Sequence, residues 1–478
     1  WDESSKKASW RKRREKDQTF FHMQSFGQSH ESSLHFNENQ MNAGGLETSV
    51  DEVQLADYHP DTPLFRYTYA RYHDRMREID RQIGRIVEQL KEDGLLEDTF
   101  IFYFGDHGGV LPRSKGYLFE SGLHVPLVVR IPKNFADLVA QQRGDRTLGF
   151  VEFVDFGPTV LHLAGIETPE QIDGEAFLGQ DISAADLAKR DEAFGYADRF
   201  DEKYDLVRGL RKGRYKYVRN FQPYYPDGMQ NNYRYRMLAY AQWRKMYDDG
   251  ELNEAQRAFF EAKPVEALYD LEEDPYELHN LAGESHHAKK LAEMRHLLSN
   301  RMKSLPDLSL YPESVLVDQA MDNPVAFGQE HAEEIGQLLD VANLSLLPFA
   351  DAKPDLEKAL AASHPLQRYW ALTACSCFGR RAETLVPIAK KLLADENLMV
   401  RLRAAEFLGI VGEINPQPVL TEILNETKSH VEATIVLGSV VYFRDHAPTK
   451  YPFDASQLKM EVKSDGVNRR LEYLTGKL

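Results

Sequence analysis

Cysteine is nearly absent: the 478 residues hold two, Cys375 and Cys377. Thiols so close together cannot staple a long loop, which excludes a disulfide framework. Positive charge is in deficit. Lys and Arg number 58 against 75 Asp and Glu, a net charge of −17. No nucleic-acid partner is expected, because a general binder needs clustered cations to neutralise phosphate. The one basic cluster, Arg11 to Arg14, reads as a solvated helix face. Long apolar runs are missing too, so no membrane span is expected. The sequence opens at Trp1 with neither an initiator Met nor a signal-peptide pattern. Its start reads as the middle of a charged helix, so a processed N-terminus or a fragment is expected.

A hydrophobic content of 42% with 28% charged residues suits a globular chain with a real core, and its length implies two or three domains. The organising stretch is Ile101 to Pro132. An apolar run, Thr99 to Phe104, stops at Gly105 and is followed by Asp106, His107, Gly108 and Gly109; Arg113 and Lys115 come next, and a second apolar run covers Val125 to Ile131. This layout places a carboxylate, an imidazole and two cations at the carboxyl edge of an α/β sheet. Before it, Lys6 to Lys16 reads as a helix anchored by Trp10. Thr19 to Phe26 has strand length and ends in a polar loop holding His30. A helix over 66–91 carries an apolar stripe from Tyr69 to Leu90, closed by Gly94. With the strand after it, this helix reads as half of a βαβ unit.

Further on, Val151 to Gly165 begins extended and turns helical after Pro158. Phe194 to Ala197 is a short strand, Asp205 to Leu210 and Tyr215 to Asn220 form a hairpin, Glu266 to Asp270 is another strand, and Ala288 to Lys303 is a helix. From about Pro312 the strand signal ends. Ala371 and Ala404 stand in similar helices 33 residues apart, and Ala433 begins a looser copy. Such a period of paired helices indicates an α-solenoid of HEAT type. Tyr451 to Leu478 reads as an irregular tail with a short helix.

Asp106 offers the oxygen that Ca²⁺ or Mg²⁺ prefers, and His107 can touch both metal and substrate. Gly108 and Gly109 would let a substrate approach the backbone. Lys115 and Arg113 are partners for an oxyanion. His124, just before the return strand, could face the same place, as could His30.

FGDHGG followed by RSKGYLFESGLHVPLVVRIP resembles the C-terminal half of a type I sulfatase catalytic domain, of the alkaline phosphatase superfamily. QSHESS, YARYHDRMREIDRQIGRIVEQL, VEFVDFGPTVLHLAGI, GYADRFDEKYDLVRGLRKGRYKYVRN and EALYDLEEDPYELHNL agree in order, over about residues 1–300. The flavour is that of bacterial sulfatases of the heparan-type and polysaccharide-acting groups. The resemblance implies an α/β sheet lacking its N-terminal part over 1–135 and an α+β C-terminal subdomain over 136–305; the repeat period places an all-α HEAT-like extension over 312–450, followed by a tail over 451–478. The resemblance also implies that Asp106 binds Ca²⁺ (Mg²⁺ being the alternative) with His107 beside it, that Lys115 and His30 hold sulfate, and that His30 helps the leaving group. Arg113, His124, Asp198 and Arg199, with the tyrosines 224, 225, 233 and 235, are candidates for binding the sulfated sugar. A periplasmic or secreted location is implied. The helical repeats are candidates for a protein partner or self-association.

The sequence departs from the family at the nucleophile, a formylglycine made from the Cys or Ser of Cys-x-Pro-x-Arg. Cys377-Phe378-Gly379-Arg380-Arg381 has the Cys and Arg but no Pro, and reads as a decoy in a helical repeat. The formylglycine segment is therefore expected before Trp1. Two rival readings stand beside the sulfatase: a phosphate or phosphonate ester hydrolase on the same fold, and a non-catalytic interaction module.

Overall fold

The computed structural model describes residues 2–477; Trp1 and Leu478, the outer ends of the expected first domain and tail, lie outside the described residues. The N-terminal stretch departs from expectation. Only Trp10–Lys12 forms a helical turn, because the Trp10 indole and the Arg11 guanidinium both donate to Asp93, at 2.8 and 2.7 Å. Residues 11–16 have no apolar stripe to bury. Residues 19–26 form no strand, since no described strand lies alongside to pair with their backbone.

The long helix runs Pro63–Glu92. The Thr62 hydroxyl accepts the Phe65 N–H at 3.2 Å, with Pro63 in the first position, where its missing N–H costs nothing. At the other end Gly94 has φ +70°. The Leu95 N–H reaches the Leu90 carbonyl at 2.8 Å and the Gly94 N–H reaches Lys91 at 3.1 Å, the paired bonds of a left-handed C-terminal cap. The N-terminal half buries Phe65, Tyr69 and Ala70 against Trp243, Phe259 and Phe260.

Strand β1 is Ile101–Phe104 and β2 is Leu127–Arg130. They pair antiparallel, Ile101 opposite Arg130 and Phe104 opposite Leu127; the βαβ reading is corrected at its first strand, since residues 19–26 ahead of the long helix form none. The connection holds only a one-turn helix, Glu120–Leu123, and it turns the chain back along the same edge instead of crossing over the sheet. Helix Phe156–Leu163 starts before Pro158. A second sheet, four antiparallel strands in the order β3-β4-β5-β6, follows: β3 Glu192–Phe200, β4 Lys203–Lys212, β5 Tyr215–Asn220 and β6 Glu266–Asp270. β3 is longer than expected because it pairs with β4 along almost its whole length.

Beyond helix Ala288–Ser304, paired helices stack: Phe349–Leu360 with Pro365–Phe378, Val386–Leu392 with Leu398–Val411, and Gln417–Glu426 with His430–Asp445. The second helix of each pair is buried nearly all round, as an inner solenoid layer requires. Tail helix Asp465–Leu474 packs onto the last pair. A single apolar core runs from Leu206, Leu210 and Tyr217 of the hairpin through these helices to Val467, so the repeats are fused to the four-stranded sheet. Their junction is also polar. Glu406, wholly buried, accepts from Arg403 at 2.5 Å, from Tyr224 at 3.1 Å, from Ser439 at 2.5 Å and from Tyr225. Tyr224 and Tyr225 are thus anchors of the repeats and are not open to a substrate. Among the described residues no helix is long and apolar enough to cross a membrane.

Candidate active site

Glycines build the loop after β1. The Gly108 N–H donates to the Gly122 carbonyl at 2.8 Å, and that of Gly109 to Ser121 at 3.1 Å. A Cβ on Gly108 would lie 1.9 Å from the Ser121 carbonyl oxygen, and one on Gly109 would lie 2.8 Å from the Tyr72 hydroxyl. The expectation that these glycines clear space for a substrate is corrected: the space is taken by the chain's own backbone and Tyr72. The close packing instead holds Asp106 and His107 at the strand end. The Asp106 side chain is 88% exposed and that of His107 30%, with His107 Nε2 3.7 Å from Asp106 Oδ1. His107 Nδ1 lies 2.7 Å from the Gly108 carbonyl and donates to it, so Nε2 keeps its lone pair.

Lys115 is tied to the same loop, its N–H donating to the Gly109 carbonyl at 3.0 Å. Its carbonyl accepts from Arg234 at 2.5 Å, and its ammonium lies 5.9 Å from the Phe200 ring centre. Arg234 is the hub. Its guanidinium sits 3.7 Å from the Phe200 ring and 4.5 Å from that of Tyr117, and its Nε is 3.9 Å from Glu31 Oε1. Both Glu31 and Arg234 are buried. Burial pushes the Glu31 carboxyl above its usual range, while Arg234, then Lys115, then more weakly His30 pull it back. His30 itself is exposed and caps the short helix Glu31–Leu34. Its Nδ1 accepts the Ser32 N–H at 3.3 Å and lies 2.9 Å from the Ser32 hydroxyl, which puts the ring proton on Nε2, facing outward.

His30 and Lys115, 85 residues apart in sequence, thus flank one buried Glu31–Arg234 pair, His30 beside Glu31 in the chain and Lys115 through its carbonyl on Arg234, with Asp106 and His107 on the same loop as Lys115. Sequence reading missed Glu31, Arg234, Tyr117 and Phe200. The only available signal for Glu31 was its place beside His30, and for Arg234 a lone Arg in a tyrosine-rich stretch.

The other four candidates do not join them. Arg113, at φ +68°, is buried, with its guanidinium 4.2 Å from the Tyr58 ring and 3.5 Å from that of Phe119. It donates to the Glu277 carbonyl at 3.1 Å. Packing, not substrate contact, is its geometry. His124 is 74% exposed and faces Glu120 at 3.6 Å. Asp198 is paired with Arg208 at 2.8 Å and Ser309 at 3.0 Å, and Arg199 with Glu313 at 2.7 Å. A β-bulge between Ala197 and Arg199 turns both toward residues 307–313.

Asp106 supplies the oxygen a hard cation wants, but Ca²⁺ takes about six to eight oxygens. Among the described residues no third His, Cys, Asp or Glu joins Asp106 and His107; the one three-donor group is Glu284, His286 and His287 at the surface. Two donors make only part of a shell. The cysteines do not fit a formylglycine site either: both lie in helix Pro365–Phe378. Burial pushes the Cys377 thiol up to about 11 and the Cys375 thiol higher.

Residues 3–166 match the sulfatase family profile, 105–247 the profile described as N-sulphoglucosamine sulphohydrolase, C-terminal, and 344–438 that of HEAT repeats. An ulvan-active sulfatase of Formosa agariphila is 33% identical over 351 residues, 67% of this chain and 57% of that protein. An N-acetylglucosamine-6-O-sulfatase of Bacteroides thetaiotaomicron is 25% identical over 254 residues, 50% of this chain and 37% of that protein. The chain therefore spans about half the length of these relatives. Among solved structures, a phosphonate monoester hydrolase from Silicibacter pomeroyi aligns at 22% identity and TM-score 0.37, covering 55% of this chain and 47% of its own.

Proposed function

The chain belongs to the sulfatase family, and from that premise we propose that it forms the sulfate-binding wall of a sulfuric ester hydrolase acting on a sulfated carbohydrate. The observation that carries this reading is that Lys115 and His30 flank the buried Glu31–Arg234 pair, Lys115 through its carbonyl on Arg234 and His30 beside Glu31 in the chain. Lys115 is a point charge for the non-bridging sulfate oxygens. Arg234, fixed between two aromatic rings, holds the Lys115 backbone in place. His30 carries its proton on Nε2 and is the donor to the leaving alcohol oxygen. Asp106 and His107 would hold part of the shell of a Ca²⁺, or alternatively Mg²⁺, ion, which when bound would neutralise charge on the transferring group. No nucleophile is assigned to the chain's own residues, since both cysteines are packed in the repeats. A periplasmic or secreted location, and a protein partner or self-association at the repeats, belong to the same proposal.

The test is inorganic sulfate binding by titration calorimetry. Lys115→Ala and His30→Gln should each weaken it about tenfold, the loss of one charge-assisted contact. Binding unchanged in both variants would sink the assignment. Phosphate titrated in parallel separates a sulfate site from a phosphate-ester site. Turnover of 4-nitrophenyl sulfate by the 478-residue polypeptide itself would overturn the statement that its cysteines are not the nucleophile.

A further inference from the structure

The bulge that removes Asp198 from the Lys115 site builds a second concavity. Before it, Gly195 faces Leu118 and Leu123, and Phe194, Tyr196 and Asp198 alternate to the opposite face of the β3–β4 ribbon. After it, Phe200 turns back to Arg234 and Lys115. The face carrying Phe194, Tyr196 and Asp198 is closed by Arg301, Leu305 and Ser309 into a cavity of about 310 Å³, the low end of the range for small-molecule sites.

The chemistry of this groove is specific. Tyr196 is 67% exposed, and its ring runs near-parallel to that of Phe194, the two centroids 6.5 Å apart at 26°. One wall is internally satisfied: Asp307 takes Arg208 Nε at 2.5 Å and Nη2 at 2.8 Å, and Asp198 takes Nη1 at 2.8 Å and the Ser309 hydroxyl at 3.0 Å. Arg301 is different. Its guanidinium lies 5.5 Å from the Phe194 ring centre, and among the described residues no acid is ion-paired with it. Glu152 lies in its field but spends an oxygen on the Phe194 N–H at 3.0 Å. An exposed aromatic face beside an unpaired guanidinium and a fixed carboxylate and hydroxyl suits a ring with an apolar face, hydroxyls and one anionic group.

We propose that this groove is a second carbohydrate-binding site, on the opposite face of the ribbon from Lys115, taking an anionic sugar residue of a polymeric substrate. The site rests on the sulfated-carbohydrate reading and deepens it. Tyr196 stacks on the sugar ring, Arg301 takes its sulfate or carboxylate, and the Asp198–Ser309 edge takes hydroxyls. A chain held there is tethered to the protein, which raises the local concentration of its sulfate esters.

The test is affinity electrophoresis of the full chain through gels containing dextran sulfate, with unsulfated dextran as control. Wild type should be retarded by dextran sulfate. Tyr196→Ala and Arg301→Gln should each weaken retardation about tenfold, with melting temperatures kept because Tyr196 is largely exposed. Lys115→Ala, which removes the first site's sulfate contact, should lose part of the retardation and keep the part that Tyr196 and Arg301 supply. Retardation unchanged in Tyr196→Ala and Arg301→Gln, or lost altogether in Lys115→Ala, would overturn the second site and leave the calorimetric test of Lys115 untouched. Absence of retardation in wild type overturns it equally.

Discussion

Acidification should loosen the loop that carries Lys115, and His59 is the reason. His59 is buried, its ring against Phe65 and Trp243 at 4.9 and 5.0 Å between centres. Nε2 donates to the Pro112 carbonyl at 3.0 Å, one residue before Arg113. Nδ1 lies 2.7 Å from the Tyr69 hydroxyl, which accepts the Ala56 N–H at 3.2 Å and so donates to the ring. This is a fully satisfied neutral imidazole. A second proton would set donor against donor in a dry site facing the Arg113 cation, with only the neutral phenols of Tyr58 and Tyr69 near it. Burial first and Arg113 second push the pKa down to about 3. In the unfolded chain the group titrates near 6.5. Between those values the unfolded state binds a proton that the native state does not, so stability falls as pH falls. The slope is about 1.4 kcal/mol per unit once below 6.5, or about 1.4 kcal/mol in all between pH 7.5 and 5.5. His446, also pushed well down by burial and by Arg244, acts in the same sense, so wild type alone is not diagnostic. His59→Gln keeps one donor and one acceptor without titrating. Urea unfolding followed by tryptophan fluorescence at both pH values should show the wild-type advantage over His59→Gln shrinking by about 1.4 kcal/mol. An advantage equal at pH 7.5 and 5.5 would refute the reasoning.

Three further outcomes follow from the geometry. Glu406→Ala leaves Arg403 buried without its carboxylate and should cost about 3–5 kcal/mol in denaturant unfolding; a loss under 1 kcal/mol would mean the network is not what joins repeats to sheet. Gly108→Ala, whose new Cβ would meet backbone oxygen at 1.9 Å, should cost about 3 kcal/mol, at the upper end for overpacking, and abolish sulfate binding; calorimetry and melting check both. Asp106→Ala, at an 88% exposed side chain, should leave stability within about 0.5 kcal/mol while weakening Ca²⁺ binding; Ca²⁺ titrations that superimpose on wild type would remove Asp106 from the metal shell.

Local chemistry was legible wherever one segment dictates its own outcome. The long helix follows from its stripe and from Gly94, because i, i+3 and i+4 spacing and a left-handed cap need no distant partner. The 205–220 hairpin and the repeat period follow for the same reason. Asp106, His107 and Lys115 were readable as neighbours because a single glycine loop carries them. What failed needed a partner elsewhere: of residues 6–16 only Trp10–Lys12 turns, where Asp93 takes Trp10 and Arg11, and 19–26 lack a described strand beside them. The direction of β2 was decided by pairing across the loop, which periodicity does not encode.

Sequence alone determined which residues were candidates for chemistry, because candidacy depends on side-chain type and local spacing. Tertiary structure alone decided which of them face one another. It buried Arg113 between two rings, turned Asp198 and Arg199 away through a one-residue bulge, and drew Glu31 and Arg234 into the space between His30 and Lys115. The physical reason is that burial and electrostatic fields act through space. A carboxylate acquires its site from the charges packed around it, and those charges come from segments as far apart in the chain as residues 30, 115 and 234.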